Sequence, residues 1–178
     1  MKRCWKGYDR ICRRFEKSEF ISREQEKEEM MERKLAEEIR ALVERSKFVF
    51  VASVDENGEP NIKVMFAKAR DKMGVYYMST NYSSKRVQQF QQNPKACIYF
   101  CDEKNFQGLR LNGNMEACTD RTNRERLWEE RDIMYYPQGV DDPDYCVLKF
   151  TAQRGNYYHG LRNVDFQIGE LEEGGTGV

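Results

Sequence analysis

The residues best suited to chemistry lie in the run Met78-Ser79-Thr80-Asn81-Tyr82-Ser83-Ser84-Lys85-Arg86. Small hydroxyl side chains follow a β-prone stretch and lead into two adjacent cations at the start of a helical pattern. A helix N-terminus offers free N–H groups and the positive end of the macrodipole, to which Ser, Thr, Lys and Arg add donors. That composition predicts a site for a phosphate group. The bland alternative at the same residues is a serine cap beside two solvated cations.

A second cluster, Lys63-Val64-Met65-Phe66-Ala67-Lys68, sets a cation at each end of an apolar strand. A lysine drawn into such a strand needs a partner, because an unpaired charge is costly to bury. The two lysines are five positions apart, so an unbroken strand sends them to opposite faces; a bulge or strand end is required if both reach one ligand, and Lys63 is preferred.

Other reactive residues give less. The single histidine, His159, sits between aromatic residues and a glycine and reads as a packing or surface residue, and Asp141-Asp142 reads as turn and solvent. No Ser/His/Asp set assembles, so no catalytic residue is assigned. The six cysteines contain no C-x-x-C pair. Cys97, Cys101, Cys118 and Cys146 fall in predicted strands as reduced, small hydrophobes, while the spacing of Cys4 and Cys12 fits no common metal set, so no metal site is expected.

The elements that must position these residues can be read in order. The 178 residues suit one domain. Residues 1–21 form a basic arm. From Ser22 to Ser46 a helix is predicted, with Met31, Leu35, Ile39, Leu42 and Val43 at helical spacing for its packed stripe. Six strands follow: Lys47 to Val54, Asn61 to Ala69, Val75 to Ser79, Ala96 to Asp102, Leu109 to Cys118 and Tyr145 to Ala152. Asp55-Glu56-Asn57-Gly58 and Arg70-Asp71-Lys72-Met73-Gly74 are hairpin turns, so early pairing is antiparallel. Helical insertions are predicted at Ser83 to Gln92 and Thr119 to Arg131, with Thr119 or Asp120 as cap of the second. Gly113 predicts a bulge or a close backbone approach. Tyr135 to Pro143 is a turn-rich loop. Residues 161–178 are an extension, with a disordered tail from Gly169.

Acidic and basic residues balance at 30 each, so no global field pulls the chain toward nucleic acid or an anionic membrane. No run approaches the ~18 consecutive apolar residues of a membrane span, and Met1 to Trp5 lacks the apolar run of a secretory signal. The expectation is a cytoplasmic protein with no nucleic-acid or membrane partner.

These pieces resemble, in order, the pyridoxamine 5'-phosphate oxidase-like, FMN-binding split-barrel family, above all its smaller general stress protein 26-like members. The resemblance rests on the opening helix, Asp55 to Pro60, the Lys63 to Lys68 strand, Tyr77-Met78-Ser79-Thr80-Asn81 leading to Ser84-Lys85-Arg86, Asn93-Pro94 and Leu111-Asn112-Gly113. It spans about Leu35 to Ala152. It implies a mainly β (α+β) fold, a six-stranded antiparallel split β-barrel of Greek-key character with flanking helices, over residues 22–160. It also implies FMN as cofactor, with Lys63, Val64, Met65 and Lys68 near the flavin ring and Ser79, Thr80, Asn81, Ser84, Lys85 and Arg86 around the phosphate.

Flavin sites in this family are shared between two subunits, so a homodimer is implied, and the aromatic residues Trp128, Tyr135, Tyr136, Tyr157 and Tyr158 suit an interface. The implied function is a flavin oxidoreductase acting on an unidentified small molecule, with NAD(P)H as a candidate donor. The end of the chain departs from true pyridoxamine phosphate oxidases. Gln153 to Gly160 does not reproduce their Trp and Arg-x-His elements, so a role in making pyridoxal phosphate is not expected. The alternative is a stress or sensing protein that binds flavin, haem or a deazaflavin without turnover. A further alternative is an interaction module using the basic Lys2 to Arg14 arm.

Overall fold

The protein's structure, a computed structural model, describes residues 6–173, with side chains described for residues 24–171. In chain order the elements are α1 (Lys6–Arg45), β1 (Phe48–Val54), β2 (Pro60–Phe66), β3 (Ala69–Asp71), β4 (Val75–Asn81), α2 (Lys85–Gln92), β5 (Lys95–Asp102), β6 (Gln107–Cys118), α3 (Arg121–Leu127), β7 (Tyr145–His159), β8 (Arg162–Gln167) and α4 (Ile168–Glu173). Short 3-10 turns at Glu130–Met134 and Gly139–Asp141 lie between α3 and β7.

The predicted turn chemistry sets the local pairing. Asp55 accepts from the backbone N–H of Asn57 and Glu59, and Gly58 adopts φ +82°, which closes the β1–β2 hairpin. Gly113 marks the expected bulge: the β6–β7 register shifts between Asn112 and Gly113, and a Cβ there would lie 2.0 Å from the Thr151 carbonyl oxygen.

All pairing is antiparallel, in the order β2-β1-β5-β6-β7-β4-β3, with β8 added to β7. The long β7 pairs with β4 through its first half and with β8 through its second. β2 and β3, consecutive in the chain, therefore lie at opposite ends of the path. Ala67 and Lys68 join them across a seam where no ladder runs, and this is the split of a split β-barrel.

Among the described residues the barrel has eight strands rather than six. The run expected as one strand, Asn61 to Ala69, breaks after Phe66 and restarts as the three-residue β3 on the other side of the seam. β8 and α4 occupy residues expected to be an extension and tail, and Gly169 is inside α4. Residues 174–178 lie outside the described residues.

The helix α1 starts at Lys6, so residues 6–21 of the expected arm continue it; residues 1–5 lie outside the described residues. Its last turns seal one end of the barrel. Leu35, Ala36, Ile39, Leu42 and Val43 are buried against the sheet, whereas Met31, expected in the same stripe, is exposed. Burial of each large side chain contributes roughly 1.5–3 kcal/mol. Ion pairs from Glu38 to Arg162, Glu44 to Arg70 and Arg45 to Asp102 tie this helix to β8, β3 and β5. Among the described residues, no helix is long and apolar enough to cross a membrane.

Candidate functional site

At the seam the sheet leaves an open cleft of about 440 Å³. Val64, Met65 and Phe66 of β2 form one wall, and Ser79, Thr80 and Asn81 of β4 another. Lys68 from the seam link, Arg86 from α2, and Arg131, Asp132, Met134, Tyr135 and Tyr136 from the insertion after α3 complete it. The cleft thus gathers seven of the ten residues singled out in the sequence.

Helix α2 aims Arg86. Ser84 is its N-cap and accepts from Val87 N–H, while Val87 and Phe90 are buried beneath the helix and Gln89 accepts from Ser53 of β1 at 2.6 Å. The guanidinium, one residue before Val87, turns over β4, where Nη1 donates to Thr80 Oγ1 at 3.2 Å and lies 3.1 Å from Met65 Sδ. Its Nε is buried with no partner. Burial holds its pKa below the ordinary guanidinium value, but an arginine remains cationic at any ordinary pH.

The loop before α2 differs from the open helix terminus expected. The Asp144 carboxylate accepts from the Ser83 backbone N–H, the Ser83 hydroxyl and the Asn81 amide. These bonds, the Asn81 amide foremost, hold its pKa below the usual carboxylate value. Ser83 and Asn81 are thereby engaged within the chain, and Ser84 serves as a cap. Lys85 is exposed and does not line the cleft, nor does Lys63, which is exposed on β2. Among the cations singled out, the cleft brings together Arg86 and Lys68 and leaves out Lys63 and Lys85.

Lys68 is not a free cation. Its side chain is 8% exposed, with Nζ 2.5 Å from Asp132 Oδ2, 3.8 Å from Glu129 Oε1 and 3.4 Å from the Leu127 carbonyl. The partner that a buried lysine requires is Asp132, itself 7% exposed in its side chain. In the sequence Asp132 stands in the charged run Glu129-Glu130-Arg131-Asp132 and looks solvated; the legible signal was only that Lys68 needed an acid.

The rest of the insertion forms an aromatic block. Trp128 meets Tyr145 edge-on at 5.3 Å and Tyr136 packs on Tyr145 at 4.7 Å. Burial pushes the Tyr136 hydroxyl up to about 12. Met134 and Tyr135 stand exposed at the cleft's rim. His159 is at the far end of β7, with Nδ1 3.2 Å from Gln107 Nε2, outside the cleft lining.

The donor set fits a phosphate bearing a flat apolar group. Arg86 has an orphaned buried N–H and no carboxylate partner among the described residues, Thr80 and Ser79 add hydroxyls, and β2 supplies an apolar strand beside them.

Comparison with known proteins gives the family. The family model for pyridoxamine 5'-phosphate oxidase matches residues 35–159. This chain belongs to that family. A pyridoxine/pyridoxamine 5'-phosphate oxidase of Coxiella burnetii is 23% identical over 124 residues, which cover 65% of this chain and 62% of that relative. The chain thus spans about three-fifths of that curated relative's length. A Clostridium acetobutylicum protein related to general stress protein 26 is 45% identical, at a TM-score of 0.71 over 78% of this chain and 98% of that one. Two more distant structures share the fold. A pyridoxamine 5'-phosphate oxidase-related, FMN-binding protein of Nostoc punctiforme is 17% identical at a TM-score of 0.57, covering 71% of this chain and 82% of that one. A haem-binding protein of Mycobacterium smegmatis is 15% identical at 0.62, covering 78% and 60%.

Proposed function

We propose that the chain binds FMN in the seam cleft and acts as a flavin oxidoreductase on a small molecule. The observation that carries this is Arg86: a half-buried cation whose buried Nε–H has no partner, beside Thr80 and Ser79, at the edge of an apolar strand. Arg86, Thr80 and Ser79 hold the phosphate, and Val64, Met65 and Phe66 lie along the ring. When bound, the flavin supplies the redox chemistry, and the protein binds, orients and shields it.

We also propose a homodimer. On the outer face of β1 and β2, Phe48, Phe50, Ile62, Val64 and Phe66 are all exposed, with the Phe48 and Phe66 rings tilted against each other at 5.1 Å. Isolated exposed apolar side chains are ordinary, but a contiguous patch marks an interaction surface. Val64 and Phe66 belong both to this patch and to the cleft wall. A second copy covering the patch therefore also closes the cleft, which supports a flavin site shared between subunits.

The shared fold with a haem-binding protein raises a second reading. The cleft lining contains no histidine or cysteine, but its rim carries Tyr135 and Met134, side chains of types that also hold haem iron, so the bound chromophore separates the two readings. The test is the visible spectrum of protein purified from a flavin-replete host. Bands at about 370 and 450 nm that survive gel filtration, and that bleach with NADPH and return in air, are expected. A flavin that binds but never bleaches would make the chain a carrier, and a Soret band would replace flavin by haem.

A further inference from the structure

The charges around the cleft pair off unequally. The Lys68 ammonium donates to Asp132 at 2.5 Å and to the Leu127 carbonyl at 3.4 Å, and the Glu129 carboxylate lies in ion-pair range at 3.8 Å. Arg131 is held by Glu129 at 2.7 Å. Asp132 is fixed in turn, since its carboxylate also accepts from the Glu129 backbone N–H at 3.1 Å and its backbone carbonyl accepts from Tyr135 and Tyr136. Among the cations lining the cleft, only Arg86 lacks a carboxylate partner among the described residues.

From this balance we infer that the cleft has capacity for one phosphate group, and that the substrate meeting the flavin there is a flat, unphosphorylated ring. The inference rests on the flavin reading above, in which FMN takes Arg86. A second phosphate entering beside Lys68 would displace Asp132, leaving a buried carboxylate against a buried dianion. With Val64 and Phe66 given to the flavin ring, the apolar surface that remains for a substrate is on the insertion, where Met134 and Tyr135 are both exposed. Thioether and aromatic side chains suit contact with a planar ring. The lysine that could have received a phosphorylated substrate instead pins the wall that receives an unphosphorylated one.

The experiment counts phosphate. Equilibrium dialysis of the flavin-free protein against labelled inorganic phosphate should saturate at one equivalent per chain. That equivalent should vanish in Arg86→Met, and a second should appear in Asp132→Asn, where the Lys68 ammonium is released. On FMN-loaded protein, pyridoxamine 5'-phosphate should bind no more than threefold tighter than pyridoxamine, read from the flavin band. Two equivalents on the wild-type protein, none at all, or one that survives Arg86→Met would overturn the inference, as would a tenfold preference for the phosphorylated ligand. If Asp132→Asn does not fold, Lys68→Met settles the same point: one equivalent is expected, and a fall to zero contradicts it. FMN should displace the wild-type equivalent. If it does not, the flavin reading fails while the one-phosphate capacity stands.

Discussion

Two regions of the barrel use the same residue types to opposite ends. Beneath α1, Ile39 and Leu42 are 1% and 0% exposed, filling the sealed end. On the outer face of β1 and β2, Ile62, Val64 and Phe66 are 65%, 55% and 61% exposed, next to the cleft. The first set is consumed by the monomer's own core. The second is apolar surface that one chain leaves uncovered, at the place where its candidate site is open. The other face of β1 and β2 carries Val49, Val51 and Met65, buried in the same core as Ile39 and Leu42, so these strands give one face to the core that α1 seals and the other to the open patch.

The comparison is broken most severely at the sealed end. Leu42→Ala should destabilise the protein by about 2–5 kcal/mol, the usual cost of a buried leucine with its cavity, read as a lower urea midpoint. A loss under about 1 kcal/mol would mean that α1 does not seal the core. On the other face, Phe66→Glu should leave monomer stability within about 0.5 kcal/mol. It should weaken the dimer roughly thirtyfold, about 2 kcal/mol, in sedimentation equilibrium. An unchanged dimer would place the interface elsewhere.

The smallest effect lies on the insertion's other side, where Arg126 of α3 grips Asp71 of β3 and stacks over Tyr77 at 4.4 Å. The Arg126 hydrogen bond, with one from the Tyr77 hydroxyl, lowers the Asp71 pKa to about 2. A lowered carboxylate pKa adds stability above the unfolded value of about 3.9, and that contribution is lost as pH falls through the folded value. The wild-type advantage over Arg126→Gln should therefore be full above pH ~4 and shrink toward pH ~2, in urea midpoints taken across that window. An advantage that stays constant would contradict the pairing.

Much of this architecture was legible because local chemistry forced it. Asn57-Gly58 demanded a tight turn, Ser84 a helix cap, and Gly113 a bulge, and each is found where its residue type required it. The break after Phe66 was not legible: Ala67 and Lys68 carry no turn signal, and three residues of β3 are too few to show a period. β8, the run Arg162-Asn163-Val164-Asp165-Phe166-Gln167, does alternate, with Val164 and Phe166 on its packed face, but two apolar positions among polar neighbours are too short a pattern to mark a strand.

At the site, the strand and helix contributions were readable because each stands in a regular element. The insertion's contribution was not. Asp132 sits among exposed charges in sequence, and only the fold brings it to Lys68, 64 residues away. For the same reason Lys63 looked the better ligand: its strand position was regular, whereas Lys68 reaches the cleft only because the strand ends before it.

The most direct test of the account titrates FMN into flavin-free wild-type protein, Arg86→Met and Lys85→Ala, following quenching of flavin fluorescence. Charge-assisted hydrogen bonds of about 1.5–3 kcal/mol predict that Arg86→Met weakens binding roughly tenfold to a hundredfold. Lys85→Ala, an exposed residue outside the cleft, should change it by no more than about threefold. Equal affinity in wild type and Arg86→Met, or a larger loss in Lys85→Ala, would contradict the assignment of the seam cleft as the phosphate site.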